Sequence, residues 1–503
     1  MKLNWLHRGF LANVAPFDIK CAFILIALPA AWKIVSIDMA AIESLCSRKP
    51  IFSFSPNFLY ELLHRNDCLV FNFASIQLLQ ILCAIFLILF AFFRLRVFLI
   101  PAVTLLWFID TTAYLYRGTL YTLDTPLALL ILILITPVNL RKASTSCLTP
   151  NLSARLVILP PLIYVASYYV LAGIAKFEFA WNWHQIVNIG NYYPVSYLWH
   201  TQIMPEPINQ IAKFVSDIYL QWPALDSGSA LIVYIEQFIW IPAIFNLIVR
   251  FHAGIFAAVY HVVVALTTGI VFITWFFIPL AVTFPFSMIA RRLTKNHEAS
   301  MLIHQVPKWQ TSPWFLVLLI ATPAFLATLP SKGLPFPPFH NYLAFGWRYQ
   351  SIDEFQTIYR VGYWDDQIHE LKAFPLGHGG FLDFRQTANM GVYAKIALDS
   401  SASTNSDLVA SEVLLGMIEA TRPIDSNGWL LGKFRAPQHL LGIPGGQSMQ
   451  HIQTFYLMRS KAFYSTISGT YRVKWEACGE IVRPDQGGSG VLRRFDECRE
   501  DPR

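Results

Sequence analysis

The chain has 503 residues, of which 55% are hydrophobic and 14% charged, and it carries a formal charge of +7. A soluble interior has no room for that much apolar surface, so the composition excludes an ordinary water-soluble globular protein and predicts a lipid-facing one. The basic residues are dispersed beside apolar runs, which excludes a nucleic-acid-binding face and fits the loops of a membrane protein.

The first residues, Met1 to Pro16, mix Trp, His, Arg and Asn without a cleavable apolar core, so the first apolar run is expected to target the chain itself. Runs of about 17–25 apolar residues predict nine membrane segments. They lie near 20–38, 73–93, 97–116, 119–139, 155–177, 229–249, 252–271, 273–290 and 313–330. Asp124 and Pro126 interrupt the start of the fourth. The seventh and eighth share one apolar block, so an eight-segment alternative stands beside the nine.

Basic residues cluster at the N-terminus (Lys2, Arg8, Lys20) and in later even-numbered connections (Arg94 and Arg96; Arg141, Lys142 and Arg155; Arg250; Arg291 and Arg292). This positive-inside pattern predicts a cytoplasmic N-terminus and an outer C-terminus in a plasma membrane. The long connection 178–228, rich in Trp and Pro, is expected to fold back over the outer face.

After the proline-rich stretch Pro330 to Pro338 the composition turns polar. Residues 339–503 alternate in places, as in GVYAKIALD and GTYRVKWEA, which predicts a strand-containing outer domain with a charged tail. The expected fold is therefore an all-α polytopic membrane bundle of about eight to nine transmembrane helices, with a C-terminal, partly β, extracytoplasmic domain. Two cysteine pairs fall on the outer side, Cys46 with Cys68 and Cys478 with Cys498, and each is a disulfide candidate. No cysteine has metal-site spacing, and no metal is expected.

Ionisable residues inside apolar segments are functional suspects because they are costly there. They are Lys33, Asp110, Lys176, Glu236, His252 and His261. In the nine-segment topology all but His252 approach the outer half of the bundle. Lys176 shares a helix face with Gly173, Ala172 and Tyr169, a side small enough for another helix to approach. Two readings of Lys176 stand: a lysine snorkelling to the membrane edge, and a base kept neutral by desolvation. Asp110 and Glu236 have a structural reading as lysine partners, and His261 as a satisfied core histidine. His252 and His261, nine residues apart, are half a turn out of phase and do not face one metal.

The pattern Tyr169-x-Leu171-Ala172-Gly173-Ile174-Ala175-Lys176, with Trp181 following, resembles the signature of the vitamin K-dependent gamma-carboxylase-like family, also called the horizontally transferred transmembrane (HTTM) domain. The block from Arg250 to Ile270 resembles the family's F-H segment. The likeness spans roughly residues 12–300, followed by the last membrane segment and linker at 301–338 and the outer domain at 339–503. The resemblance implies that Lys176 is a catalytic base toward a reduced quinone such as vitamin K hydroquinone. Asp110, Glu236 and His261, from their shared outer depth, and Tyr169 and Trp181, from the Lys176 motif, are the pocket candidates. The carboxylases carry an Asn-His pair associated with carboxylation. The comparable stretch here, Leu120 to Pro126, has no histidine, so quinol oxygenation is carried over more readily than carboxylation (carbon–carbon lyase chemistry). The implied activity is a quinol-linked oxygenase, epoxidase or carboxylase-like modification of a secreted peptide at the outer face of the bilayer. A non-catalytic scaffold for maturation or export of a secreted partner is the alternative, and a transporter the third reading.

Overall fold

The computed structural model describes residues 14–36, 73–117, 124–178, 221–268, 273–294, 320–327, 357–366, 369–373, 453–465, 470–482 and 491–502, with isolated helical positions at 210, 211, 214, 218, 394, 397 and 398. Helix α1 (Pro16–Ser36) starts on a proline, whose missing N–H is no loss in a first turn. The Asp18 carboxylate reaches back to the Ala15 N–H at 2.8 Å, half of a capping box. It also accepts from the Ser287 N–H and Oγ–H at 2.7 and 2.8 Å. One carboxylate thus satisfies orphan donors at two helix starts. Burial pushes this carboxyl above the ordinary aspartate range, against the opposing pull of those hydrogen bonds and of Arg291.

Helices α2 (Phe73–Phe93) and α3 (Arg96–Arg117) are separated by two residues, with Arg94 at φ 60°, a left-handed stop suited to a helix end. Helix α4 (Asp124–Ile135) and the short α5 (Leu140–Ala143) lead to α6 (Leu152–Glu178), whose start is capped by Asn151 Oδ1 accepting from the Ala154 N–H at 2.8 Å. Then come α7 (Pro223–Phe238), α8 (Trp240–Phe245), α9 (Leu247–Thr268), α10 (Ile273–Thr283) and α11 (Phe286–Thr294). Helix α6 is the axis of this unit: α1, α4, α5, α7, α8 and α10 all pack on it. Alanines at 22, 27, 30 and 31 let α1 sit close to its neighbours, with Phe23 tilted against Phe90 at 5.0 Å.

The expectation of an eight- or nine-span polytopic bundle is corrected by the helix lengths. Among the described residues one helix, Leu152–Ile174, is long and apolar enough to cross a membrane. A second span arises only if Thr274–Thr283 and Phe286–Thr294, bent by 67°, are taken together. The other apolar helices are shorter pieces: Gln77–Phe93, Thr125–Ile135, Leu231–Phe245 and Leu247–Val263. The cause is breaks that composition does not register. Asn246 takes an extended backbone (φ −126°, ψ 122°) between α8 and α9, where its Oδ1 accepts from the Ile248 N–H at 2.9 Å, and Arg250 caps the end of α8 through the carbonyls of Ala243 and Ile244. Pro285 lies at the bend between α10 and α11. Helix α4 has 12 residues, about 18 Å, against a hydrocarbon core of about 30 Å. In the predicted last segment, residues 320–327 are described as helix.

Residues from Thr357 to Arg499 supply a five-stranded antiparallel sheet of order β2-β1-β3-β4-β5. The strands are β1 (Thr357–Asp365), β2 (Glu370–Ala373), β3 (Thr454–Ser465), β4 (Thr470–Val482) and β5 (Val491–Arg499). The long β3–β4 hairpin runs from Thr454↔Val482 to Ser465↔Thr470. The alternating GTYRVKWEA stretch lies in β4. The other, GVYAKIALD, is helical at Ala394, Ala397 and Leu398, so its strand reading is corrected there. Those three positions, at i, i+3 and i+4, also satisfy a helical period, which short apolar runs do not distinguish. Cys478 and Cys498 are joined by a disulfide that ties β4 to β5, while Cys46 and Cys68 lie outside the described residues. Beside the bridge, a Cβ at Gly479 would stand 2.8 Å from the Arg493 carbonyl, so the strands meet where no side chain fits. Arg360 is buried in β1, its Nη1 donating to the Tyr359 carbonyl at 3.0 Å, and burial pushes its guanidinium down to about 10.

Candidate functional site

Around Tyr169, near the end of α6, four helices bring aromatic and ionisable side chains together. Trp240, the first residue of α8, stacks on the Tyr169 ring at 4.8 Å and 13°. Trp275 of α10 meets it edge-on at 5.4 Å and 88°. His261 of α9 places Nε2 3.4 Å from the Tyr169 hydroxyl, with the imidazole itself edge-on to Trp275 at 6.0 Å. The Glu236 carboxylate, on α7 and fully buried, lies within electrostatic reach of Tyr169. Tyr168 extends the wall by packing on Trp275 at 4.6 Å.

Which of the Tyr169–His261 pair donates depends on the imidazole tautomer, so the pair can either give or accept a proton along this contact. The indoles exclude water on two sides of the phenol. His261 is partly exposed whereas Tyr169 is buried, so the imidazole is the more accessible member. The two indoles close on the phenol itself, which leaves the imidazole edge as the approachable side of the cluster.

Gly173 explains how α7 reaches this site. A Cβ there would lie 3.1 Å from Gln237 Oε1 and 3.1 Å from Phe238 Cζ, so α7 crosses α6 against a bare backbone. That crossing sits between Tyr169 and Lys176 along the helix. The same economy operates between α9 and α10, where a Cβ at Gly254 would fall 1.8 Å from Thr283 Oγ1. Thr283 is itself held to the Pro279 carbonyl at 2.6 Å.

The predicted site residues divide three ways. Tyr169, Glu236 and His261 come together. Asp110 is buried, but on α3, which packs chiefly on α2 and α4. Lys176 belongs to the last turn of α6, two turns beyond Tyr169 on the same face, while its side chain, and Trp181 entirely, lie outside the described residues. Lys33 is buried in α1, and His252 is exposed, its Nδ1 2.8 Å from the Ile248 carbonyl. Trp240 and Trp275 are absent from the sequence-derived candidates. Their signal is position: tryptophan favours membrane interfaces, and both stand within apolar runs.

Comparison of the chain with protein-family models, with curated proteins and with solved structures gave no match.

Proposed function

We propose that the helical unit works within a membrane and binds a reduced quinone, or a ring of the same chemistry, against the Tyr169–His261 pair. The observation that carries this reading is the Tyr169 hydroxyl facing His261 Nε2 at 3.4 Å between the indoles of Trp240 and Trp275. The membrane part is supported by the outer surface. Leu78, Ile85 and Phe92, spaced by seven along one face of α2, are 44–57% exposed, and Val97, Ile100 and Ile248 are 54–70% exposed, an apolar surface that favours lipid over water. The likeness of the Lys176 motif to the gamma-carboxylase-like family supports the choice of ligand.

A reduced quinone, when bound, supplies electrons for reaction with dioxygen. The residues of the chain would hold it from one side: the His261 imidazole, the more accessible member, would meet its polar edge, and the Tyr169 hydroxyl, fixed by the two indoles, would back that contact. Lys176, on the same face of α6, accepts the hydroxyl proton. A lysine does so only when neutral, which the proposal requires of Lys176.

The test uses the full chain in neutral lipid nanodiscs, with a vitamin K hydroquinone analogue. Tryptophan fluorescence should quench saturably, and Tyr169→Phe should weaken binding about tenfold, the effect of one lost hydrogen bond. Lys176→Arg should leave binding intact while abolishing hydroquinone-dependent oxygen uptake. Undiminished uptake by Lys176→Arg overturns the catalytic reading. The scaffold alternative is favoured by the self-contained, disulfide-tied sheet. It predicts instead that removal of residues 339–503 abolishes function while Lys176→Arg has no effect.

A further inference from the structure

Four separate stretches of chain meet at one end of the helical unit. The start of α1 is tied to the segment before α6 by Phe17 N–H to Cys147 O and Asn151 N–H to Val14 O, both 3.1 Å. Lys20 Nζ donates to Ser146 Oγ at 3.4 Å. The turn between α2 and α3 joins the same end, where Arg94 donates to the Ser144 carbonyl and Arg96 to the Val138 carbonyl at 2.9 Å. Asp18 brings in the start of α11. These contacts gather Lys20, Arg141, Lys142, Arg291 and Arg292 from three segments distant in sequence. The carboxylate they bring with them, Asp18, is buried and already accepts three hydrogen bonds. The outward charge of this end is therefore positive, with Arg141, Lys142 and Arg292 exposed.

Helix α11 adds a second feature. It turns 67° away from α10 and so leaves the direction of the helix that precedes it. Met288, Ile289 and Leu293 are exposed on it, Leu293 by 80%, beside Arg291 and Arg292. Exposed apolar side chains interleaved with arginines on one short helix are the composition of an element lying in a headgroup layer.

We infer that this basic end, with α11 as its apolar foot, is a docking surface for anionic phospholipid headgroups. Arg141, Lys142 and Arg292 pair with lipid phosphates, and Leu293 enters the acyl boundary. The inference rests on the reading that the helical unit sits in a membrane, and it adds which lipid that membrane must contain. Its basis is charge complementarity: among the described residues the outward charges of this end are positive, and they would meet negative headgroups.

The full chain is reconstituted in phosphatidylcholine vesicles with and without phosphatidylglycerol, and bound lipid is counted by native mass spectrometry. Phosphatidylglycerol should be retained in preference to phosphatidylcholine, and the preference should fall with rising salt. The triple variant Arg141→Gln, Lys142→Gln, Arg292→Gln should reduce it about a hundredfold. Leu293→Gln should weaken retention of both lipids, because it removes apolar contact and no charge. Insertion into both vesicles with equal retention of the two lipids overturns the inference and leaves the membrane reading standing. Failure to insert into either overturns the membrane reading, and the inference with it. Displacement of bound phosphatidylglycerol by millimolar inorganic phosphate would make this a phosphate site and overturn the lipid assignment.

Discussion

The helical unit and the sheet share an apolar core but differ in what they leave outside. Among the helices Asp18, Gln80, Asp110, Glu236 and Arg250 are buried, while Ile85, Phe92, Val97 and Ile248 face outward. In the sheet Phe455, Leu457, Met458 and Ile481 are inside, and the pairs Arg459–Glu476 and Arg493–Glu480 lie at the surface at 3.3 and 3.4 Å. Both interiors are mainly apolar, around Phe23 and Phe90 in the helices and around Met458 and Ala477 in the sheet, so the contrast lies in the buried polar groups of the helices and in what each part leaves outside. An exposed apolar surface on the helices and exposed ion pairs on the sheet are what the proposed membrane placement of the helical unit requires. The surface ion pairs of the sheet add little to its stability, whereas each buried polar group of the helices demands a partner.

If the units are built separately, damage to one should leave the other intact. The largest effect is expected from Gly254→Val. Its side chain would collide with Thr283, which is hydrogen-bonded in place, and prise α9 from α10, separating His261 from Trp275. A loss of about 3 kcal/mol or more is expected by thermal unfolding in detergent, with protease resistance of the sheet unchanged. Conversely, Cys478→Ser with Cys498→Ser opens a link between residues 20 apart in sequence and should cost the sheet about 3 kcal/mol. Hydrogen exchange should then quicken in β4 and β5, with α6 and its neighbours unaffected. Exchange that quickened in both units would show that they fold together.

Asp18 offers a smaller and pH-dependent effect on the helical unit alone. Because its folded carboxyl holds its proton more tightly than the unfolded one, its contribution is fully present below the ordinary value near 3.8. It declines as pH rises from there through the raised folded value. Unfolding of the helical unit followed across that window should show this downward slope, and Asp18→Asn should flatten it. The smallest change is expected from Gly173→Ala. The helix gains about 1 kcal/mol of intrinsic propensity, offset by the 3.1 Å approach to Gln237 and Phe238. Net stability should move by less than about 1 kcal/mol, while hydroquinone affinity falls if α7 is displaced from Tyr169. A bulkier Gly173→Leu should destabilise clearly, which separates the crossing from the propensity.

Parts of this arrangement are legible in the residues and parts are not. Tyr169, Glu236 and His261 stand out because polar groups in apolar runs are rare, and the structure gathers them. Asp110 has the same local signature and belongs to another part of the unit, since depth along a helix says nothing about which helices are neighbours. Trp240 and Trp275 are invisible as site residues because an aromatic in an apolar run is ordinarily packing. The disulfide candidate Cys478 with Cys498 follows from its place in the polar C-terminal part, and register in the sheet brings the two sulfurs together.

By itself the sequence determined that the chain is unusually rich in apolar residues, that its C-terminal part is of a different character, and that Gly173 offers a flank for close approach. These are sums and spacings along the chain, and hydrophobicity and helical period act locally. Tertiary structure alone decided where apolar runs break, because Asn246, Arg250 and Pro285 act through hydrogen bonds and bends that a hydropathy window averages away. It alone joined Tyr169 to His261, 92 residues apart, and collected dispersed basic residues at one end. Contacts between residues distant in sequence depend on which helices pack together, and that choice belongs to the whole fold.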